Sequence, residues 1–77
     1  MIDVLCPKNN VNDEKVIVVE VYKRPGEYIN EGDVVVDIET SKENIEIVAS
    51  NSGYIMHDLV SGMEVAVGSS LFKIVED

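Results

Sequence analysis

The stretch Ile38-Glu39-Thr40-Ser41-Lys42-Glu43-Asn44-Ile45-Glu46-Ile47 sets one lysine in a short polar interval between two strand-like apolar runs. Before it, Val34-Val35-Val36-Asp37-Ile38-Glu39 is rich in β-branched residues, which favour extended backbone. After it, Ile45, Ile47 and Ala49 alternate with Asn44, Glu46 and Val48, the period-two signature of a half-buried strand. The two strands meet at Thr40-Ser41-Lys42-Glu43, so Lys42 is expected at a hairpin tip. A tip holds its side chain away from the body of the protein while the paired strands fix its place.

The rest of the chain repeats this logic. At a fixed offset of 36, Val19 matches Ile55, Gly26 matches Gly62, Ile29 matches Val65, Gly32 matches Gly68, Val35 matches Leu71 and Ile38 matches Ile74. The glycines permit the positive φ that tight turns between short strands often require. Ile2-Asp3-Val4-Leu5-Cys6-Pro7 resembles Ile45-Glu46-Ile47-Val48-Ala49-Ser50, but at an offset of 43; the polar loop from Pro7 to Lys15 accounts for the seven-residue difference. A repeat this small buries no core of its own, so two copies are expected to pack as a pseudo-symmetric flattened β-barrel or sandwich. Within it, Val16 to Tyr22 is read as a strand with Ile17, Val19 and Val21 facing the core. The two-fold relation sets the Lys42 tip and the chain ends, near Met1 and Asp77, at opposite poles.

Composition agrees with an all-β chain. There are 14 Val and 8 Ile but only 3 Leu and 2 Ala, the reverse of what amphipathic helices use. Seventy-seven residues make a single domain, 1–77, without room for a deep catalytic cleft. Six basic against 15 acidic residues give a net charge of -9, which repels phosphate backbones and anionic lipid. Neither nucleic acid nor membrane is therefore an expected partner; the charge is suited to solubility and to steering towards basic docking surfaces. Cys6 has no second cysteine to pair with, and no secretory or membrane-spanning stretch is present, so a reducing, cytoplasmic setting is expected. One Cys and one His are too few for a zinc site, and His57, Tyr22, Tyr28, Tyr54 and Phe72 are read as structural or edge residues.

Gly26-Glu27-Tyr28-Ile29-Asn30-Glu31-Gly32-Asp33, Glu39-Thr40-Ser41-Lys42, Glu46, and Ala49-Ser50-Asn51-Ser52-Gly53 together resemble the lipoyl domain, the carrier module of 2-oxo acid dehydrogenase complexes. The resemblance runs over nearly the whole chain. It implies two four-stranded antiparallel sheets, lipoic acid held as an amide on Lys42, and Glu39 as a recognition residue for the lipoylating enzyme, a lipoate-protein ligase or lipoyl transferase. It further implies a swinging arm that passes acyl groups and reducing equivalents among the dehydrogenase, acyltransferase and dihydrolipoamide dehydrogenase components. The isolated domain is expected to be a monomer and a non-catalytic carrier, as part of an acyltransferase or on its own.

Ser41 and Glu43, which flank the lysine, stand where the family commonly has aspartate and a small or apolar residue. They keep a second reading open, that of an unmodified lipoyl-like binding or structural module. A biotin carrier domain of a carboxylase is a third. Biotinyl domains usually set their lysine between two methionines, and Met1, Met56 and Met63 are all remote from Lys42 in sequence. The loop from Lys8 to Lys15 is a candidate for recognition by a dehydrogenase, or a passive connection.

Overall fold

The computed structural model describes residues 1–8 and 12–76. Eight strands follow in order: β1 (Ile2–Leu5), β2 (Lys15–Val21), β3 (Tyr28–Ile29), β4 (Val34–Glu39), β5 (Asn44–Val48), β6 (Gly53–Met56), β7 (Glu64–Ala66) and β8 (Ser70–Val75), with no helix among the described residues. They form two four-stranded antiparallel sheets, ordered β1-β8-β6-β3 and β5-β4-β2-β7. Exchanging β1 with β5, β2 with β6, β3 with β7 and β4 with β8 turns one order into the other, which is the expected two-fold relation. The sheets pack as a sandwich and do not close into a barrel, so β1, β3, β5 and β7 remain edges.

Each sheet takes two strands from each repeat, and the turns that follow are bonded across the repeats. The Gly26 amide donates to Ile55 O at 2.7 Å, and the Gly62 amide donates to Val18 O at 2.7 Å. Likewise Gly32 N reaches Ala49 O at 2.8 Å, and Gly68 N reaches Cys6 O at 2.9 Å. All four glycines have φ between +87° and +94°, a left-handed conformation that L side chains rarely adopt.

These pairs correct the expected register of β2. Gly26 bonds Ile55 while Gly62 bonds Val18, so the partner of Ile55 under the two-fold is Val18 and the offset there is 37. The extra residue is Val19, which bulges between the pairs Val18↔Ile38 and Glu20↔Asp37. Val16 and Val18 are therefore buried, at 1% and 0% exposure, whereas Val19 is 37% exposed. Ile17 is only half-buried, and Val21, beyond the bulge, is on the core side as expected.

Two further bulges are symmetric. Val35 is the extra residue between Val34↔Val48 and Val36↔Ile47, and Leu71 is the extra residue between Val4↔Phe72 and Leu5↔Ser70. A bulge resets the alternation of faces, so Val35 and Val36, and Leu71 and Phe72, all point inward. They meet Ile29, Ile38, Ile55, Ile74, Val65, Cys6 and Ala49 in one core. Burying each of the larger side chains contributes roughly 1.5–3 kcal/mol.

The bulge at Val19 makes a contrast that sequence alternation does not. Val18→Ala is expected to cost about 2 kcal/mol by urea denaturation, and Val19→Ala less than about 1 kcal/mol. Equal losses would mean that β2 has another register. Gly53→Ala is expected to cost more than about 2 kcal/mol, because a Cβ there would come within 2.6 Å of Val75 O and 2.8 Å of Ile74 Cγ2.

Candidate functional site

β4 and β5 pair from Val34↔Val48 to Glu39↔Asn44, and Thr40 N closes the hairpin on Glu43 O at 2.8 Å. Ser41 and Lys42 form the tip, and both are exposed, as is Glu43. Lys42 Nζ enters none of the ion pairs among the described residues, which join Lys15 to Glu64 and Lys23 to Glu27 and Asp33. Its amine thus extends from a fixed base into open solvent, which suits covalent attachment of a group by another enzyme.

The register also shows what lies behind the tip. Glu39 is exposed on the outward face of its sheet, between Ile17 and Asn44. One row further from the tip, Glu46, Asp37 and Glu20 stand side by side on three adjacent strands. Like charges directly opposite one another repel. Tyr22 offsets part of this by donating its hydroxyl to Asp37 Oδ2 at 2.6 Å. That hydrogen bond, with the negative charges of Asp37, Glu20 and Glu46, pushes the Tyr22 phenol up to about 12.

β1 runs from the chain ends towards the lysine end. Ile2 pairs with Ile74, while Cys6, beyond the far end of β1, bonds Ser69 and Gly68; the neighbouring Val67 bonds Glu14, beside the Lys15↔Ala66 pair. That pair leads through Ile17 to Glu39, so Met1 lies at the pole opposite the hairpin. Asp77, and Asn9, Asn10 and Val11 of the candidate recognition loop, lie outside the described residues.

The remaining polar and aromatic residues have structural places. His57 Nδ1 accepts from Leu59 N at 3.0 Å, which leaves Nε2 to carry the proton and donate to Lys23 O at 2.6 Å. The ring joins the segment after β6 to the turn after β2. Tyr28 and Tyr54 pack edge to face, with ring centroids 5.2 Å apart, and Phe72 is a core residue. Cys6 is buried, and burial raises its thiol above the ordinary value.

A sequence profile of the family described as "Biotin-requiring enzyme" matches residues 3–74. The chain belongs to the biotin/lipoyl attachment family. Over 55 residues it is 38% identical to the dihydrolipoyllysine-residue succinyltransferase component of the 2-oxoglutarate dehydrogenase complex of Bacillus subtilis (strain 168), a match taking in 70% of this chain and 13% of that relative. Its fold superposes on the solution structure of the lipoyl domain of the 2-oxoglutarate dehydrogenase complex from Azotobacter vinelandii with a TM-score of 0.82. That likeness covers 99% of this chain and 98% of the other at 31% identity. Within this family the attachment fold is a carrier and is not catalytic by itself.

Sequence reasoning missed Tyr22 as the partner of Asp37, because the contact depends on the bulged register of β2. In the folded protein one tyrosine is expected to ionise near pH 12 in an ultraviolet tyrosinate titration, and Tyr22→Phe is expected to remove that step. The sign follows from the raised value: the interaction favours the neutral phenol, is fully present below the ordinary value of 10.0, and is lost as pH rises towards 12. A titration unchanged by Tyr22→Phe would refute the assignment.

Proposed function

We propose that this chain is a lipoyl carrier domain, lipoylated on Lys42, that serves a 2-oxo acid dehydrogenase complex. The observation that carries the reading is the exposed amine at the two-residue tip of the β4–β5 hairpin, in a fold that superposes on a lipoyl domain. A lipoate-protein ligase or lipoyl transferase is the enzyme that would load it. The Lys42 amine, once it has given up a proton, attacks the carbonyl of an activated lipoate; an amide bond forms and the activating group leaves. When bound, the dithiolane supplies acyl transfer and redox chemistry.

The domain's part is mechanical and electrostatic. The paired strands hold the attachment point at the pole opposite Met1, so an arm on Lys42 would reach outward into partner active sites. Tethering replaces free diffusion with an effective concentration in the mM range for a short flexible linker. Glu39 is the residue we assign to recognition by the loading enzyme, a role supported by its exposure three residues before Lys42. Ser41 and Glu43 flank the lysine without covering it. The dehydrogenase, acyltransferase and dihydrolipoamide dehydrogenase components are the partners this role requires, and the relatives' association with 2-oxoglutarate dehydrogenase favours that complex. Lipoate is favoured over biotin because Met56 lies on β6, Met63 just before β7 and Met1 at the opposite pole, none beside Lys42.

Incubation with lipoate, ATP and a lipoate ligase is expected to add one lipoyl mass, seen by intact-mass spectrometry, and Lys42→Arg is expected to abolish it. An addition that survives Lys42→Arg moves the site elsewhere, and no addition favours the unmodified module. Glu39→Ala is expected to slow loading by roughly tenfold with little change in stability, because it removes an exposed charge from a docking rim.

A further inference from the structure

Two-residue connections between antiparallel strands usually close with positive φ at one or both central residues, which is why glycine and asparagine dominate them. Ser41-Lys42 contains neither, and among the described residues positive φ occurs only at glycines. Besides the backbone bond from Thr40 N to Glu43 O, the tip has a side-chain brace. Thr40 supplies it. Its Oγ1 donates to Glu43 O at 2.8 Å and accepts from Glu43 N at 3.1 Å and from Lys42 N at 3.3 Å. One proton to give and two lone pairs to receive are what a hydroxyl offers. Thr40 is also half-buried and β-branched, so few χ1 rotamers compete with the bonded one.

We infer that Thr40 is a positioning residue for the chemistry at Lys42, its hydroxyl fixing the backbone on which the reactive amine stands. The inference rests on the reading of Lys42 as the attachment site. A tip held before encounter spares the loading enzyme the entropy of ordering it, so loosening the tip should raise KM and leave kcat nearly unchanged. This differs from the role given to Glu39, which acts through its charge and makes none of the tip's hydrogen bonds given above.

Thr40→Val keeps the shape and the branching and removes the hydroxyl; Thr40→Ser keeps the hydroxyl. With lipoate ligase and ATP, Thr40→Val is expected to raise KM for the domain about tenfold, with kcat within about twofold, and Thr40→Ser to recover most of the loss. In the unloaded domain, hydrogen exchange at the Lys42 and Glu43 amides should quicken about tenfold in Thr40→Val, while Val36 and Ile38 amides keep their wild-type rates. Unchanged KM in Thr40→Val, or no recovery in Thr40→Ser, would overturn the inference. Should the wild-type domain fail to load at all, the reading of Lys42 falls separately, and exchange alone decides whether Thr40 holds the tip: unchanged rates at Lys42 and Glu43 refute it, and acceleration confined to those two amides upholds it.

Discussion

The architecture depends on hydrogen bonds that each repeat makes only to the other. Gly26 and Gly32, in the first repeat, donate to Ile55 and Ala49 in the second; Gly62 and Gly68, in the second, donate to Val18 and Cys6 in the first. Each turn, closed locally by its own backbone bond, is thus tied to a carbonyl from across the molecule, and each sheet is built from both repeats. Neither repeat satisfies its turn glycines or covers its apolar face alone. For a chain of 77 residues, whose surface is large relative to its core, this interleaving makes every strand pairing serve the same interior. It also fixes the hairpin rigidly, since β4 lies between β5 and β2 with partners on both sides.

The sequence carried the repeat and the hairpin because both are written in local terms. Glycines at a constant spacing, and a polar tetrapeptide between two apolar runs, need no knowledge of the rest of the fold. The face of β2 was not legible in this way. Val16-Ile17-Val18-Val19 is apolar at every position, so either alternate set could be the inner one, and the choice falls to a bulge dictated by pairing with β4. The inward pairs Val35-Val36 and Leu71-Phe72 were hidden for the same reason. A run of apolar residues shows that a strand is buried and gives no sign of where its alternation is reset.

At the site, the same division separates Lys42 from its neighbours. The lysine was marked by its flanking strands. The Tyr22 contact joins residues fifteen apart on strands whose register is shifted by Val19, and no local signal announces it. Thr40 lies between these cases. Threonine at the start of a turn is a known competitor for nearby amides, so its hydroxyl gave a signal that the motif's lysine overshadowed.

The two-fold relation is one of backbone and core, and it stops at the outer surfaces. One sheet presents Glu46, Asp37 and Glu20 in a row, with Glu39 between that row and the lysine tip. The row that the two-fold relates to it on the other sheet holds Asp3, Lys73 and Met56, with a lysine where the first sheet has Asp37. A row of like charges costs stability, and the Asp37 carboxylate is satisfied on one oxygen only: Oδ1 is buried with no hydrogen-bond partner among the described residues. The shared core requires nothing of the kind, since the other sheet packs on it without a row of like charges. The difference between the faces therefore belongs to what the molecule presents outward. A scaffold whose two sheets are alike in backbone becomes directional through the side chains it presents, with an amine and carboxylates at the end opposite Met1.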